Sequence, residues 1–209
     1  MLTAREIYER LLAAYGQPGW WSDDPYRVMV QSVLVQNTAW PSVLRVTQAA
    51  EASLAPERIL AMTPEALKEL IRPCGFCTRK AETIRRLTQW YAGYGFDVKR
   101  TQACGQAQLR RELLAVKGVG AETADVILVY ALHKPSFVVD AYTRRLLRRL
   151  GFAPDDDDDV RSFFEAELAP DARLYGWYHW LILTHSIERC RKTPACGACP
   201  FYDVCQRNR

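Results

Sequence analysis

Several features common in proteins are missing from this 209-residue sequence, and each absence excludes a class. No apolar run approaches the ~18 residues that cross a bilayer, which argues against a membrane protein. No basic start followed by an apolar run and a small-residue cleavage site opens the chain, so we expect a cytoplasmic protein. Sustained alternation of apolar and polar residues, the pattern of half-buried strands, is also missing.

Histidine and net charge are both scarce. The three histidines, His133, His179 and His185, show no spacing typical of a metal site or a catalytic triad, and we interpret them as structural. The net charge of +4 is weak support for a polyanionic partner, because binding depends on where the charge lies. Two clusters fit either solvated faces or DNA contacts: Arg144, Arg145, Arg148 and Arg149, and in the tail Arg189, Arg191, Lys192, Arg207 and Arg209.

The sequence does have helical periodicity. Leu, Ala, Arg and Glu recur at helical spacing, and this pattern predicts an all-α protein. Glycine and proline mark the breaks, and residues 155–159, all aspartate, predict an exposed loop leading into a helix. The predicted helices span residues 3–15, 24–36, 41–51, 55–61, 64–71, 78–94, 106–114, 121–132, 141–150, 160–168 and 173–187.

Four of the seven cysteines fall within the last 20 residues, spaced Cys190-x5-Cys196-x2-Cys199-x5-Cys205. An odd total rules out a complete set of internal disulfides. Four thiolates in one short loop suit a single [4Fe–4S] cluster or one tetrahedral zinc, since each needs four soft ligands that converge on a point. The spacing alone leaves iron–sulfur and zinc open.

The segment from Leu114 to Leu128 predicts a helix, a tight Gly118-Val119-Gly120 turn and a second helix. Glycines allow a sharp turn, and the amides at the start of the second helix are free to meet a phosphate oxygen. Such a hairpin holds DNA without reading its sequence. An isolated Gly-Val-Gly also fits an ordinary turn between helices.

Asp140 lies between the apolar run Phe137-Val138-Val139 and a predicted helix. An aspartate in that place fits an N-cap, whose side chain accepts a hydrogen bond from a first-turn amide. Capping does not exclude catalysis by the same carboxylate.

Together the hairpin, the Val139-Asp140 segment, the helical Trp180-Leu-Ile-Leu183 and the cysteine loop resemble the endonuclease III branch of the helix-hairpin-helix DNA glycosylases. The order and the spacing are similar over nearly the whole chain. Further stretches resemble the bacterial 3-methyladenine glycosylases related to endonuclease III: Gly19-Trp-Trp21, Gln36-Asn-Thr38, Arg72 to Phe76 with Lys80-Ala81, Lys117 to Asp125, and Val138 to Tyr142.

The resemblance implies two helical lobes. One is a six-helix barrel over residues 25–134 with the hairpin at about 107–132, and the other is a discontinuous lobe from residues 1–24 and 135–209. It also implies a [4Fe–4S] cluster rather than zinc in the loop 190–205, double-stranded DNA with damaged bases as the partner, and a bacterial source. Nothing in the sequence indicates more than a monomer.

The resemblance assigns roles to individual residues as well. It makes Asp140 the carboxylate that stabilises a sugar cation and Gln36 the residue that fills the gap left by a flipped nucleotide. Trp20, Trp21 and Trp40 match aromatic residues that line the pocket for alkylated purines, although core tryptophans would look the same in sequence.

The chain departs from the family pattern at two places. Five residues separate the first two cysteines where endonuclease III usually has six, so we expect a slightly altered loop. Glu122 stands where bifunctional members have the lysine that forms a Schiff base, which a carboxylate cannot do. We therefore expect a monofunctional glycosylase for alkylated purines such as 3-methyladenine. The alternatives are an endonuclease III-type glycosylase and AP lyase for oxidised pyrimidines, and a DNA-binding protein without catalysis.

Overall fold

The computed structural model describes residues 2–206, and within that range it is 63% helix with no strand. The predicted all-α class is confirmed. Arg207 and Arg209 of the basic tail lie outside the described residues. The helices are α1 (Ala4–Tyr15), α2 (Pro25–Leu34), α3 (Trp40–Ala49), α4 (Pro56–Ala61), α5 (Pro64–Leu70), α6 (Cys77–Ala92), α7 (Val98–Thr101), α8 (Gln106–Ala115), α9 (Ala121–Val126), α10 (Ala141–Arg149), α11 (Asp157–Glu165) and α12 (Ala172–Glu188).

Side-chain caps fix several helix starts. Thr3 and Glu6 form a reciprocal capping box at α1, and the Asp171 carboxylate accepts from the Leu174 amide at 2.8 Å at the start of α12. The Asp156 carboxylate accepts from the amides of Asp158 and Asp159 at 2.8 and 2.9 Å. The predicted loop over residues 155–159 is therefore wrong in its second half, because this cap starts α11 at Asp157.

The second hairpin helix changes its winding partway along. The prediction was one helix over residues 121–132, whereas α9 ends at Val126 and a π-helix follows over Ile127–Ala131. All five residues of the π-helix are buried. Apolar periodicity predicted a helix there but could not distinguish i→i+4 from i→i+5 bonding. No helix in the described range 2–206 has the length and apolar character needed to cross a membrane.

The chain divides into two compact units, Met1–Trp20 with Lys134–Arg209, and Trp21–His133. In the first, α12 packs on α1 and α10, and the Tyr178 hydroxyl donates to the Ala4 carbonyl at 2.8 Å. Its core stacks Phe137 on Phe164 with ring centroids 3.9 Å apart.

In the second unit, α2 is central: it packs against α3, α6, α9 and the π-helix, and residues 28–34 are all buried. The boundary between the first and second units falls after Trp20. The reason is local. The Trp21 indole nitrogen donates to the Gln31 side-chain oxygen at 2.9 Å, which ties Trp21 to α2 of the second unit.

Candidate active site and cysteine loop

Asp140 caps helix α10 in the first unit. One carboxylate oxygen, Oδ1, accepts from the Thr143 amide at 2.7 Å and from the Thr143 hydroxyl at 2.9 Å. The other oxygen, Oδ2, lies 3.5 Å from Nε2 of His179 on α12. Asp140 is only 5% exposed and His179 only 3%. Asp140 is thus the N-cap of α10, as the sequence predicted. The cap uses only Oδ1, and Oδ2 takes no part in it.

The surroundings of Asp140 favour its charged form. Burial raises the pKa of Asp140, but the contact with His179 and the two hydrogen bonds from Thr143 outweigh that cost, so the pKa lies below the usual value for aspartate. The site therefore holds an ionised carboxylate at neutral pH. Sequence reasoning interpreted His179 as structural, since nothing in its neighbourhood marks the pairing with a residue on another helix.

The hairpin in the second unit runs from α8 through residues 116–120 into α9. Gly118 has φ +100, a conformation that favours glycine, and a Cβ there would collide with the Thr83 hydroxyl of α6. Val119 is buried and its amide donates to the Val116 carbonyl at 2.9 Å, so it stabilises the turn from inside. No side chain caps α9 after Gly120, which leaves first-turn amides of the kind that bind anions.

Gln36 lies against this hairpin. Its side-chain amide donates to the Thr123 hydroxyl at 2.9 Å and to the Gly118 carbonyl at 3.3 Å. The structure therefore brings together two residues that the sequence singled out separately, Gln36 and Gly118, beside the first turn of α9. Glu122 lies in the first turn of α9 and is exposed.

A buried lysine, named in the sequence only as part of a family-like stretch without a role, connects two loops of the second unit. Lys80 of α6 is 3% exposed, and its ammonium donates to the carbonyls of Leu34 and Cys74 at 2.7 and 2.8 Å and to the Thr38 hydroxyl at 2.6 Å. Burial lowers the pKa of Lys80. All three protons are used, which offsets the cost of burying the charge.

The two loops joined by Lys80 both contain left-handed residues that are not glycine. Asn37 has φ 52 and Phe76 has φ 47. Phe76 is also 64% exposed, an unusual place for a strained aromatic side chain. Strain of this kind collects at functional sites. The sequence named Phe76 only as part of a family-like stretch, and its left-handed backbone and exposure are visible only in the tertiary structure.

Two of the three predicted pocket tryptophans are together. The Trp21 ring meets Trp40 edge-on at 5.4 Å between centroids and Tyr130 at 5.5 Å, and Gln31 fixes its indole nitrogen. Trp40 is 38% exposed, so its indole ring is the accessible side of this aromatic cluster. Trp20 belongs to the other compact unit and is half-buried. Tyr130 and Gln31 were not singled out from sequence.

All four cysteines of the terminal loop are free thiols. Burial raises the pKa of the Cys199 thiol, and the neighbouring charges of Cys190, Cys205 and Cys196 raise it further. No set of three or more His, Cys, Asp or Glu side chains within residues 2–206 is arranged to hold a metal ion. In number and type, the four thiolates of this loop are the donor set of a four-thiolate centre.

Two arginines of helix α10 bind Cys190, the first cysteine of the loop. Arg145 donates to the Cys190 carbonyl at 2.8 Å and Arg149 to the Cys190 sulfur at 3.0 Å. Arg144 pairs with Asp157 at 2.7 Å. Arg148 donates to the Arg144 carbonyl at 3.4 Å. All four arginines in this basic cluster therefore have partners inside the first unit, and neither solvation nor DNA contact is needed to explain them.

Comparison with known proteins places this helix-hairpin-helix protein in a family. Residues 30–170 match the HhH-GPD superfamily of base excision DNA repair proteins, and the chain belongs to that superfamily. It is a base-excision DNA glycosylase of this kind. A Methanocaldococcus jannaschii protein named "Putative DNA repair glycosylase" is 40% identical over 207 residues, which cover 96% of this chain and 94% of the relative. Endonuclease III of Thermotoga maritima is 27% identical, with 97% and 90% covered.

Two solved structures are similar over most of the chain. A trapped endonuclease III–DNA covalent intermediate covers 100% of this chain and 98% of its own with a TM-score of 0.82; at 24% identity it shows the fold. Helicobacter pylori 3-methyladenine DNA glycosylase bound to 1,N6-ethenoadenine has a TM-score of 0.75 at 26% identity, with 88% and 97% covered. The family resemblance found in the sequence is confirmed.

Proposed function

We propose that this glycosylase hydrolyses the N-glycosidic bond of alkylated purines such as 3-methyladenine in double-stranded DNA, without a strand-cutting step. The observation that carries the proposal is Asp140: a buried, ionised carboxylate with one oxygen fixed by the helix cap and the other not used by it. A protein that only binds DNA would use this group as a helix cap alone, and its negative charge would repel phosphate.

The chemistry follows from the charge. Cleavage of an N-glycosidic bond gives the sugar oxocarbenium character, and a fixed negative charge beside it lowers the barrier. The same carboxylate can orient the attacking water and accept its proton. Because the cap holds Oδ1 through two hydrogen bonds, little reorganisation is needed at the moment of reaction.

Loss of the strand-cutting step rests on Glu122. This residue matches the position of the family's Schiff-base lysine, and a carboxylate offers no amine to attack the sugar C1′. Lys80 does not replace it, since its ammonium is buried and bound to three oxygens.

The lesion class rests on the aromatic cluster of Trp21, Trp40 and Tyr130. An alkylated purine carries positive charge, and an indole face binds a cation with about 1–2 kcal/mol when desolvated. An undamaged base is neutral and has no comparable cation–π energy, so the aromatic cluster selects the charged lesion. The similarity to a 3-methyladenine glycosylase at 26% identity agrees with this class.

DNA is held and opened by the second unit in this proposal. The uncapped start of α9 after Gly118 and Gly120 binds backbone phosphate through its free amides. Gln36 leaves its bonds to Thr123 and Gly118 to fill the space of the flipped nucleotide, and the strained, exposed Phe76 stacks on a neighbouring base.

The cysteine loop completes the proposal. Cys190, Cys196, Cys199 and Cys205 would hold a [4Fe–4S] cluster, which supplies a cross-link that fixes a loop lacking regular helix. Because Arg145 and Arg149 of α10 bind Cys190, the loop is connected to the helix that Asp140 caps.

The test uses duplexes that each carry one defined lesion, incubated with and without subsequent alkali. We expect strand breaks at 3-methyladenine only after alkali, no breaks at an oxidised pyrimidine, and a rate about 10²-fold lower with Asp140→Asn. Breaks at an oxidised pyrimidine without alkali would establish the bifunctional alternative. Retention of every base by a protein that binds the duplexes would establish the non-catalytic alternative.

A further inference from the structure

His179 and Asp140 form a buried pair that the cap does not explain. The cap needs one acceptor, and Oδ1 supplies it to both groups of Thr143. The second oxygen, Oδ2, lies 3.5 Å from the imidazole Nε2 of His179. Both side chains are more than nine-tenths buried, so water does not solvate this oxygen as it would at the surface.

We propose that His179 is a positioning residue for the reaction: its Nε2–H directs Oδ2 of Asp140 and keeps the carboxylate ionised in a buried place. The inference rests on the proposed function, because it assigns His179 to the same carboxylate. It also fixes the tautomer, since only an Nε2 that carries the proton can donate to Oδ2.

The charges around Asp140 single out His179 as the controlling group. Burial alone raises the pKa of Asp140, and the contact with His179 is the largest effect that lowers it. The other nearby charges on α10 have their own partners. Arg144 pairs with Asp157, and Arg145 lies over the Tyr142 ring at 5.0 Å and donates to the Cys190 carbonyl.

The alternative is that His179 only fills space between α10 and α12. A filling residue and a positioning residue differ in what their replacement changes. Loss of a filling residue lowers the melting temperature, whereas loss of the Nε2–H also raises the pKa of Asp140 and moves the acid limb of the pH–rate profile upward.

The experiment compares wild type, His179→Phe and His179→Gln in single-turnover release of 3-methyladenine across pH, with thermal melting of each. Phenylalanine keeps the ring volume without the donor, and glutamine restores an N–H. We expect His179→Phe to slow release by about 10²-fold at neutral pH and to shift the acid limb to higher pH. We expect His179→Gln to recover part of both effects.

A double-mutant cycle adds the decisive comparison. In an Asp140→Asn background, His179→Phe should cause no further loss of rate, because its effect passes through the carboxylate. A rate loss with an unmoved acid limb, or equal loss in both backgrounds, would overturn the inference. Failure of wild type to release any base would overturn the proposed function instead. The pair is then tested by acid-induced unfolding. It should begin at a higher pH in His179→Phe than in wild type and at an intermediate pH in His179→Gln, and an unchanged onset in the variants that fold would overturn the inference.

Discussion

At the scale of single residues, Asp140 has a structural role and a proposed chemical role that one substitution separates. Asparagine keeps a carbonyl oxygen for the Thr143 amide, so Asp140→Asn should cost the helix start well under ~1 kcal/mol. It removes the negative charge, and we expect base release to fall by about 10²-fold or more while lesion DNA still binds. Single-turnover release and thermal melting measure the two effects. Normal release from a normally melting variant would exclude catalysis by Asp140.

The same substitution has a consequence for stability against pH. The folded-state pKa of Asp140 lies below its ordinary value of 3.8, so the ionised form stabilises the fold above about that pH. That stabilisation should be lost as pH falls through the lower folded value. Asp140→Asn has no such titration, so the stability difference between wild type and variant should shrink below about pH 4. Urea unfolding between pH 3 and 6 measures it.

Glu122 tests the missing strand-cutting step. It is exposed in the first turn of α9, so Glu122→Lys should fold, although it removes a carboxylate from a favourable helix start at a cost of about 0.3–1 kcal/mol. We expect borohydride to trap the variant weakly on abasic DNA and to leave wild type untrapped, because only the variant has an amine at this position. Glu122→Gln is the control for loss of charge. Efficient trapping of wild type would show that another lysine acts as nucleophile.

The residues that the sequence identified are those whose chemistry is local. Asp140 before a helix, the paired glycines and the four cysteines each carry their signal in a few consecutive positions. Lys80, Gln31 and His179 were not identified, because their meaning depends on partners that lie 6 to 46 positions away in the chain. A buried lysine also contradicts the ordinary expectation for that residue type.

At the scale of elements, the hairpin depends on the backbone of one glycine. Gly118 has φ +100 and no room for a Cβ beside Thr83, whereas Gly120 has φ −92 and open space. We expect Gly118→Ala to lose more than about 1 kcal/mol of stability and to weaken DNA binding. We expect Gly120→Ala, the matched control, to keep or gain stability by up to about 1 kcal/mol. Equal melting of the two variants would contradict this account of the turn.

The helices show where pattern reasoning succeeds and where it stops. Their existence followed from periodicity and from glycine and proline breaks, and most bounds differ by one to three residues. The short α7 was not predicted, because four residues are too few to show a period. The π-helix after α9 was not predicted either, since its five buried apolar residues look the same in any helical winding.

At the scale of the whole molecule, both chain ends contribute to one compact unit. Arg10 of α1 bonds Asp203 at 2.7 Å and the Pro200 carbonyl at 3.0 Å, and the Tyr15 hydroxyl lies 2.8 Å from Nδ1 of His185. The Cys190 amide donates to the His185 carbonyl at 2.8 Å, so the cysteine loop is connected to α1 and α12 as well as to α10. A loop without regular helix that contacts three helices suits a metal-dependent cross-link.

The last prediction concerns that cross-link. If the four cysteines hold a [4Fe–4S] cluster, purified protein should be yellow-brown with about four irons per chain. Cys196→Ser should lower the iron content and the thermal stability, because three thiolates hold a cubane less firmly than four. Cys77→Ser, a cysteine substitution outside the loop, should keep both at the wild-type level. DNA affinity should fall in Cys196→Ser more than the rate of base release from bound DNA, since Asp140 is not a ligand. The measurements are iron content, absorbance in the thiolate-to-iron charge-transfer bands and thermal melting. A colourless protein that contains one zinc would contradict the cluster.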